Sequence, residues 1–234
     1  MTAPLSAGSS PDLPSFIQDL GERLGARRME IPTIVKLSQH GRMKRALGSN
    51  PWMAFKASQT ISIEVCAFDW RARFGPCGLV SVCDALHSDV GRLDVMALGF
   101  IPLARTAPTP ALARGELMRY LAELAWAPDA ILNNASLRWR VTGPDTVTVG
   151  AGTGESAATI MLSLDAEGRI TEAYASDRPR SDKELYLPTP WRGRFSDYRK
   201  HLGRWLPFAG EVAWVIDGKE ETYWQGQIRT LDIV

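Results

Sequence analysis

Four groups of residues in this chain have the types and spacing that chemistry would need. Asp177-Arg178-Pro179-Arg180 follows a strand-like run. A carboxylate beside two guanidiniums can orient a polar head group at a barrel rim, and the same residues can equally form a solvated loop with a local ion pair. Glu211-Val-Ala-Trp214 and Tyr223-Trp224-Gln-Gly226 flank a turn at Asp217-Gly218, which would bring Trp214, Tyr223 and Trp224 together as core or as an aromatic pocket wall. Glu116, Glu123, Glu211 and Asp177 are the carboxylates from which an acid/base pair would be drawn. Gly150-Ala-Gly-Thr-Gly-Glu-Ser156 invites a phosphate-loop reading, but it lacks the P-loop lysine. The run Ala157 to Leu164 behind it alternates like a strand, so a mobile hairpin loop is the better reading.

Several chemistries lack support. His40, His87 and His201 are isolated, without the spacing or cysteine partners of a metal site, so no metal is expected. No GxSxG elbow is present, and no motif binds a cofactor. Cys66, Cys77 and Cys83 are an odd count without paired spacing, so at least one thiol is free. With 27 basic and 26 acidic residues the net charge is +1, which gives no basic excess for nucleic acid. The amino terminus lacks the pattern of a signal peptide, and no run approaches the roughly 18 apolar residues of a membrane span. The expectation is a soluble, cytoplasmic protein whose oligomeric state is unspecified.

The elements that must position these residues are mostly strands. Thr33 to Leu103 has period two, clearest where Phe68, Trp70, Ala72 and Phe74 alternate with Asp69, Arg71 and Arg73. Neighbouring strands are expected at Ile34 to Met43, Trp52 to Thr60, Leu79 to Leu86 and Leu93 to Leu103. A second block follows with Leu137 to Val141, Val147 to Val149, Ala158 to Leu164, Ile170 to Ser176, Trp191 to Tyr198, Val212 to Ile216 and Thr222 to Ile233. Short connections and turn signals imply antiparallel pairing of about ten or eleven strands.

Between the blocks, Leu117, Tyr120, Leu121 and Leu124 fall at i, i+3, i+4 and i+7, predicting a helix over about Pro110 to Ala125. Its apolar stripe must be buried. Glu116, Arg119 and Glu123 lie off that stripe, with Arg119 and Glu123 spaced for an ion pair on a solvated face. A shorter helix is expected from an Asp12 N-cap to Gly25, carrying Ile17, Leu20 and Leu24, after a disordered tail at Met1 to Pro11. Residues 12–234 then make one domain. The eight tryptophans supply large apolar area.

Gln39-His-Gly-Arg-Met43, Gly115 to Leu124 with Trp126, Asp177-Arg178, Pro188-Thr-Pro-Trp-Arg-Gly193, Gly210 to Trp214 and Tyr223 to Gly226 together resemble a bacterial domain family of unknown function. That resemblance runs from about Leu13 to the end and supplies no catalytic residues. The order of strand meander, helix and second meander resembles the half-barrel of the LolA and LppX lipoprotein carriers. It implies an α+β fold, a strongly curved antiparallel sheet covered by one main helix plus the amino-terminal helix. The implied function is binding of a small apolar or amphipathic, lipid-like molecule. Leu117, Tyr120, Leu124, Trp139, Trp214, Tyr223 and Trp224 would line the cavity, with Asp177, Arg178 and Glu211 supplying polar contacts. The alternatives are an enzyme using a carboxylate acid/base in that cavity, or an interaction domain whose core is filled.

Overall fold

The computed structural model describes residues 13–31, 33–49, 51–75, 77–98, 101–182 and 185–234. The expected tail at Met1 to Pro11 and the Asp12 cap lie outside them. Helix α1 is Ser15–Leu24, ended by Gly25 in the left-handed region, where the absence of a Cβ removes the steric penalty. Its Ile17, Leu20 and Leu24 are buried as their spacing demands.

Six strands follow: β1 (Ile34–Lys44), β2 (Trp52–Ser62), β3 (Phe68–Phe74), β4 (Val80–His87), β5 (Val90–Ala97) and β6 (Ile101–Arg105). Then come α2 (Pro110–Ala122), a 3-10 turn at Glu123–Ala125 and α3 (Asp129–Asn133). Seven more strands complete the chain: β7 (Arg138–Val141), β8 (Thr146–Ala151), β9 (Ala158–Leu164), β10 (Ile170–Asp182), β11 (Leu185–His201), β12 (Arg204–Ile216) and β13 (Lys219–Ile233). Among the described residues the sheet has 13 strands where about ten or eleven were expected; the twelve runs named from the sequence become 13 because Leu93 to Leu103 spans parts of two strands. Leu98 takes a positive φ of 53° and turns the chain between them. The expected α+β half-barrel is the observed one.

Strand order is β6-β5-β4-β3-β2-β1-β13-β12-β11-β10-β9-β8-β7, so each meander is consecutive and the first strand pairs with the last. All pairs are antiparallel. The two free edges, β6 and β7, are therefore the strands that α2 and α3 connect. Helix α2 packs against β4 and β5 on one arm and β8, β9 and β10 on the other, filling the seam that the sheet leaves open. Thr109 caps it by accepting a hydrogen bond from the Leu112 amide, and Pro110 occupies the first turn, where its missing N–H costs nothing.

A row of glycines crosses the middle of the sheet. Gly41 pairs with Gly226, and Gly226 with Gly210, across β1, β13 and β12. With no side chains there, large rings lie flat on the inner surface. A Cβ on Gly226 would overlap the Trp224 ring, and one on Gly210 would sit 3.3 Å from Trp126. Gly226→Ala is therefore expected to cost about 1–3 kcal/mol as an overpacked core site. Gln227→Ala, one residue along on the outer face, should stay within about 0.5 kcal/mol. Urea denaturation of both variants checks the contrast.

Candidate functional site

Helix α2 corrects the expectation of one solvated face. Leu117, Tyr120 and Leu124 are 2, 0 and 0% exposed, and Glu116 and Glu123 on the other side are only 5 and 6% exposed. The physical reason is the seam: both arms of the sheet cover the helix, so that beyond its first turn it has no wet side. Ala113, Met118, Ala122 and Ala125, buried off the main stripe, were the signal of a helix apolar nearly all round.

Charges placed there must be paired. Arg119 donates to Glu123 at 2.8 Å and to Asp84 of β4 at 2.5 Å, while its guanidinium lies 4.7 Å from the Phe68 ring centre. Glu123 also accepts from Gln59 at 2.5 Å, and Gln39 accepts from the Trp70 indole at 2.9 Å. Glu116 stands apart. Its nearest cation is Arg178 at 3.9 Å, and its Oε2 is sealed without a hydrogen-bond partner among the described residues, as is Asp84 Oδ1. Burial raises the Glu116 pKa well above the ordinary carboxyl value, and the Asp84 charge raises it further against the pull of Arg178 and Arg119. Burial also raises Glu123, opposed by Arg119 and Gln59. Three carboxylates and two guanidiniums become neutral overall when Glu116 keeps its proton.

A second cluster lies on the inner face of β10 to β13. Strand β10 does not end at Ser176 as expected but runs to Asp182, and a bulge between Ala175 and Arg178 shifts its register. Simple alternation from Ala173 and Ala175 would turn Asp177 inward; the bulge turns Arg178 inward instead. Asp177 pairs with Arg114 at 2.6 Å. The Arg178 guanidinium lies 4.7 Å from the Trp191 ring centre and 5.7 Å from that of Trp214. Trp214 stacks on Tyr223 at 6.0 Å, and the Trp191 indole donates to the Tyr223 hydroxyl at 3.1 Å. Trp191, which sequence reasoning did not place here, is thus the centre of the cluster. Its pairing with Trp214 through β11 and β12 carries that position.

From this cluster an apolar surface continues across the concavity. Val212 pairs with Trp224, Trp224 with Met43 and Met43 with Met53. Trp224 stacks on Phe55 at 5.8 Å and meets Trp126 edge-on at 6.5 Å. Met43, Met53, Val80, Val82, Val212, Trp214, Tyr223 and Trp224 are only partly buried, unlike the sealed residues beneath α2. The inner face therefore has a closed half under the helix and a half-open half toward the β1–β2, β3–β4 and β12–β13 turns.

Other expected site residues are dispersed. Trp139 sits on the edge strand β7, opposite Val149, with four strands between it and Trp214. Glu211 is on the outer face, 3.5 Å from Arg194 and accepting from Gln225 at 3.1 Å. It borders an outer groove of about 880 Å³ with His40, Arg42, Glu172 and Arg194, where the charges satisfy one another. The histidines are apart: His40 accepts from Arg229, His201 bonds the Leu231 carbonyl, and His87 borders a second outer groove. No metal-ligand cluster occurs among the described residues. All three thiols are free, and burial pushes Cys66 up to about 11. Of the expected loop Gly150 to Ser156, Gly150 and Ala151 are the paired end of β8, and the link to β9 is the shorter run after them, with a 3-10 turn at Gly154–Ser156.

The buried carboxyls set the pH dependence of folding. A raised folded pKa means that the native state binds more protons than the unfolded chain above an ordinary carboxyl pKa of 4.5. Stability is then greatest near and below that value and falls as pH rises, by up to about 1.4 kcal/mol per pH unit per proton. Urea denaturation between pH 5 and 8 should show this decline, and Glu116→Gln should flatten it. A stability that rises over the same range would contradict the assignment.

Two solved structures are similar in fold, each with 11% identity and a TM-score of 0.47. One is a LolA superfamily protein from Nitrosomonas europaea, with 92% of each chain covered, and the other a DUF1329 family protein from Desulfovibrio piger, with 94% of this chain and 93% of that one covered. No curated protein matches the chain. The sequence model of a family of unknown function matches residues 3–226, so the chain belongs to the family of unknown function DUF6544.

Proposed function

We propose that this protein binds a small amphipathic molecule on the inner face of its half-barrel. The ligand's apolar part would lie along Met43, Met53, Val212 and Trp224, and its polar end near Arg178, Trp214 and Tyr223. The observation that carries this reading is the contrast within one concave surface. Beneath α2 the apolar side chains are sealed, whereas a contiguous set beyond it is only partly buried and ends at a charged group. Apolar surface of this kind, bordered by a few polar groups, is what a ligand site offers. Leu117, Tyr120 and Leu124 belong to the sealed half and serve to fix the helix. Three free thiols support a reducing, cytoplasmic setting.

The acid/base alternative has one observation in its favour, the raised pKa of Glu116. Its neighbours Arg119, Asp84 and Glu123 are locked to one another, which favours a structural role for the network. Native mass spectrometry of the full chain mixed with dodecanoic acid should show a one-to-one complex. Met53→Arg, which puts a charge on the half-open surface, should abolish it while leaving the circular dichroism spectrum unchanged. An apo mass alone at all ligand concentrations would sink the proposal.

A further inference from the structure

Among the described residues Arg178 has no close counter-ion: its nearest carboxylate oxygen, from Glu116, is 3.9 Å away. The residue is 8% exposed, yet its guanidinium donates no hydrogen bond among the described residues. Five N–H groups in a fixed fork ordinarily find carboxylate or carbonyl partners when buried. Here the neighbours are two indole faces and one carboxyl oxygen at 3.9 Å, beyond hydrogen-bond distance.

The surrounding charges do not supply the missing anion. Asp177, the adjacent carboxylate, is held by Arg114. Asp84 and Glu123 are held by Arg119. Arg180 points its Nε at the Thr189 hydroxyl, 3.3 Å away, and lies 4.0 Å from Asp182. Burial and the Asp84 charge raise the Glu116 pKa, which weakens Glu116 as a counter-ion for Arg178, and its side-chain hydrogen bond is with Asp84. The Tyr223 hydroxyl, which accepts from Trp191, keeps its own proton free to donate. Donors thus converge where an acceptor is lacking, next to the start of the apolar surface.

We infer that the polar end of the ligand is a carboxylate, held by the Arg178 fork between Trp191 and Trp214, with the Tyr223 hydroxyl as a second donor. The fork matches the two oxygens of a carboxylate in one plane. When Glu116 keeps its proton, Arg178, Arg119, Asp84 and Glu123 sum to zero, so a bound monoanion adds one charge to the site where a phosphate monoester would add up to two, which favours the monoanion. This inference rests on the inner face being the ligand site, and it adds the head-group class. Single-chain carboxylic acids are the class it selects.

Calorimetric titration of the full chain with four C12 ligands separates the two claims. Dodecanoate should bind at least about tenfold more tightly than 1-dodecanol or dodecylamine, since a charge-assisted pair is lost with either. Arg178→Gln should erase that margin while leaving 1-dodecanol affinity within about twofold. Equal affinities for dodecanoate and 1-dodecanol would overturn the head-group inference and leave the inner-face site standing. Equal losses for both ligands in Arg178→Gln would make Arg178 structural and overturn it too. Dodecyl phosphate binding tenfold tighter than dodecanoate would replace the carboxylate assignment. If none of the four binds, the ligand-site reading falls as well. The wild-type comparison decides the head group even where the variant does not fold.

Discussion

A sheet of 13 antiparallel strands that curls without closing leaves a seam, and helix α2 fills it. This constraint governs the rest of the molecule. A helix that seals a seam has no face in water, so each charge on it must be met by a partner from the sheet. Arg119 meets Asp84 and Glu123, and Gln59 completes Glu123. Removing one partner of such a set leaves another charge buried and unpaired, which costs far more than a surface ion pair contributes. The network therefore fixes where α2 sits along the two arms, and with it the boundary between the closed and half-open parts of the inner face.

The glycine row and the aromatic rings work together at that boundary. Gly41, Gly226 and Gly210 remove side chains in one row across β1, β13 and β12, and Trp126 and Trp224 fill the space beside Gly210 and Gly226 with flat rings. Trp126 belongs to the segment that follows α2, and its indole donates to the Pro207 carbonyl at 3.0 Å. The closed half thus ends at Trp126. Beyond it Trp224 is covered on one side by Phe55 and partly open on the other. The same surface that completes the core becomes the surface available to a ligand.

The period-two runs and the amphipathic helix were legible because they are local. Phe68, Trp70, Ala72 and Phe74 face inward as their alternation requires, and the helix begins at Pro110 and ends, with its 3-10 turn, at Ala125. The hairpin at Asp217-Gly218 forms with both residues at positive φ, as such a loop needs. What the sequence hid depends on register and tertiary cover. A bulge exchanges Asp177 for Arg178 on the inner face, and periodicity cannot announce a bulge. Glu211 is three residues from Trp214 in one strand, and parity puts them on opposite faces. Trp139 lies at the far edge because the second meander runs outward from β13, an order set by β1 pairing with β13 rather than by any local signal. The burial of Glu116 and Glu123 followed from the seam, which exists only once both arms are folded.

The division of the concave face into a sealed half and a binding half is tested most directly by a crystal structure with 12-bromododecanoate, using bromine anomalous scattering. The carboxylate should lie within hydrogen-bond distance of Arg178 and the bromine peak among Val212, Trp224 and Met43. A bromine peak in the outer groove above Gly41, Gly226 and Gly210, or an inner face packed shut by its own side chains, would contradict it.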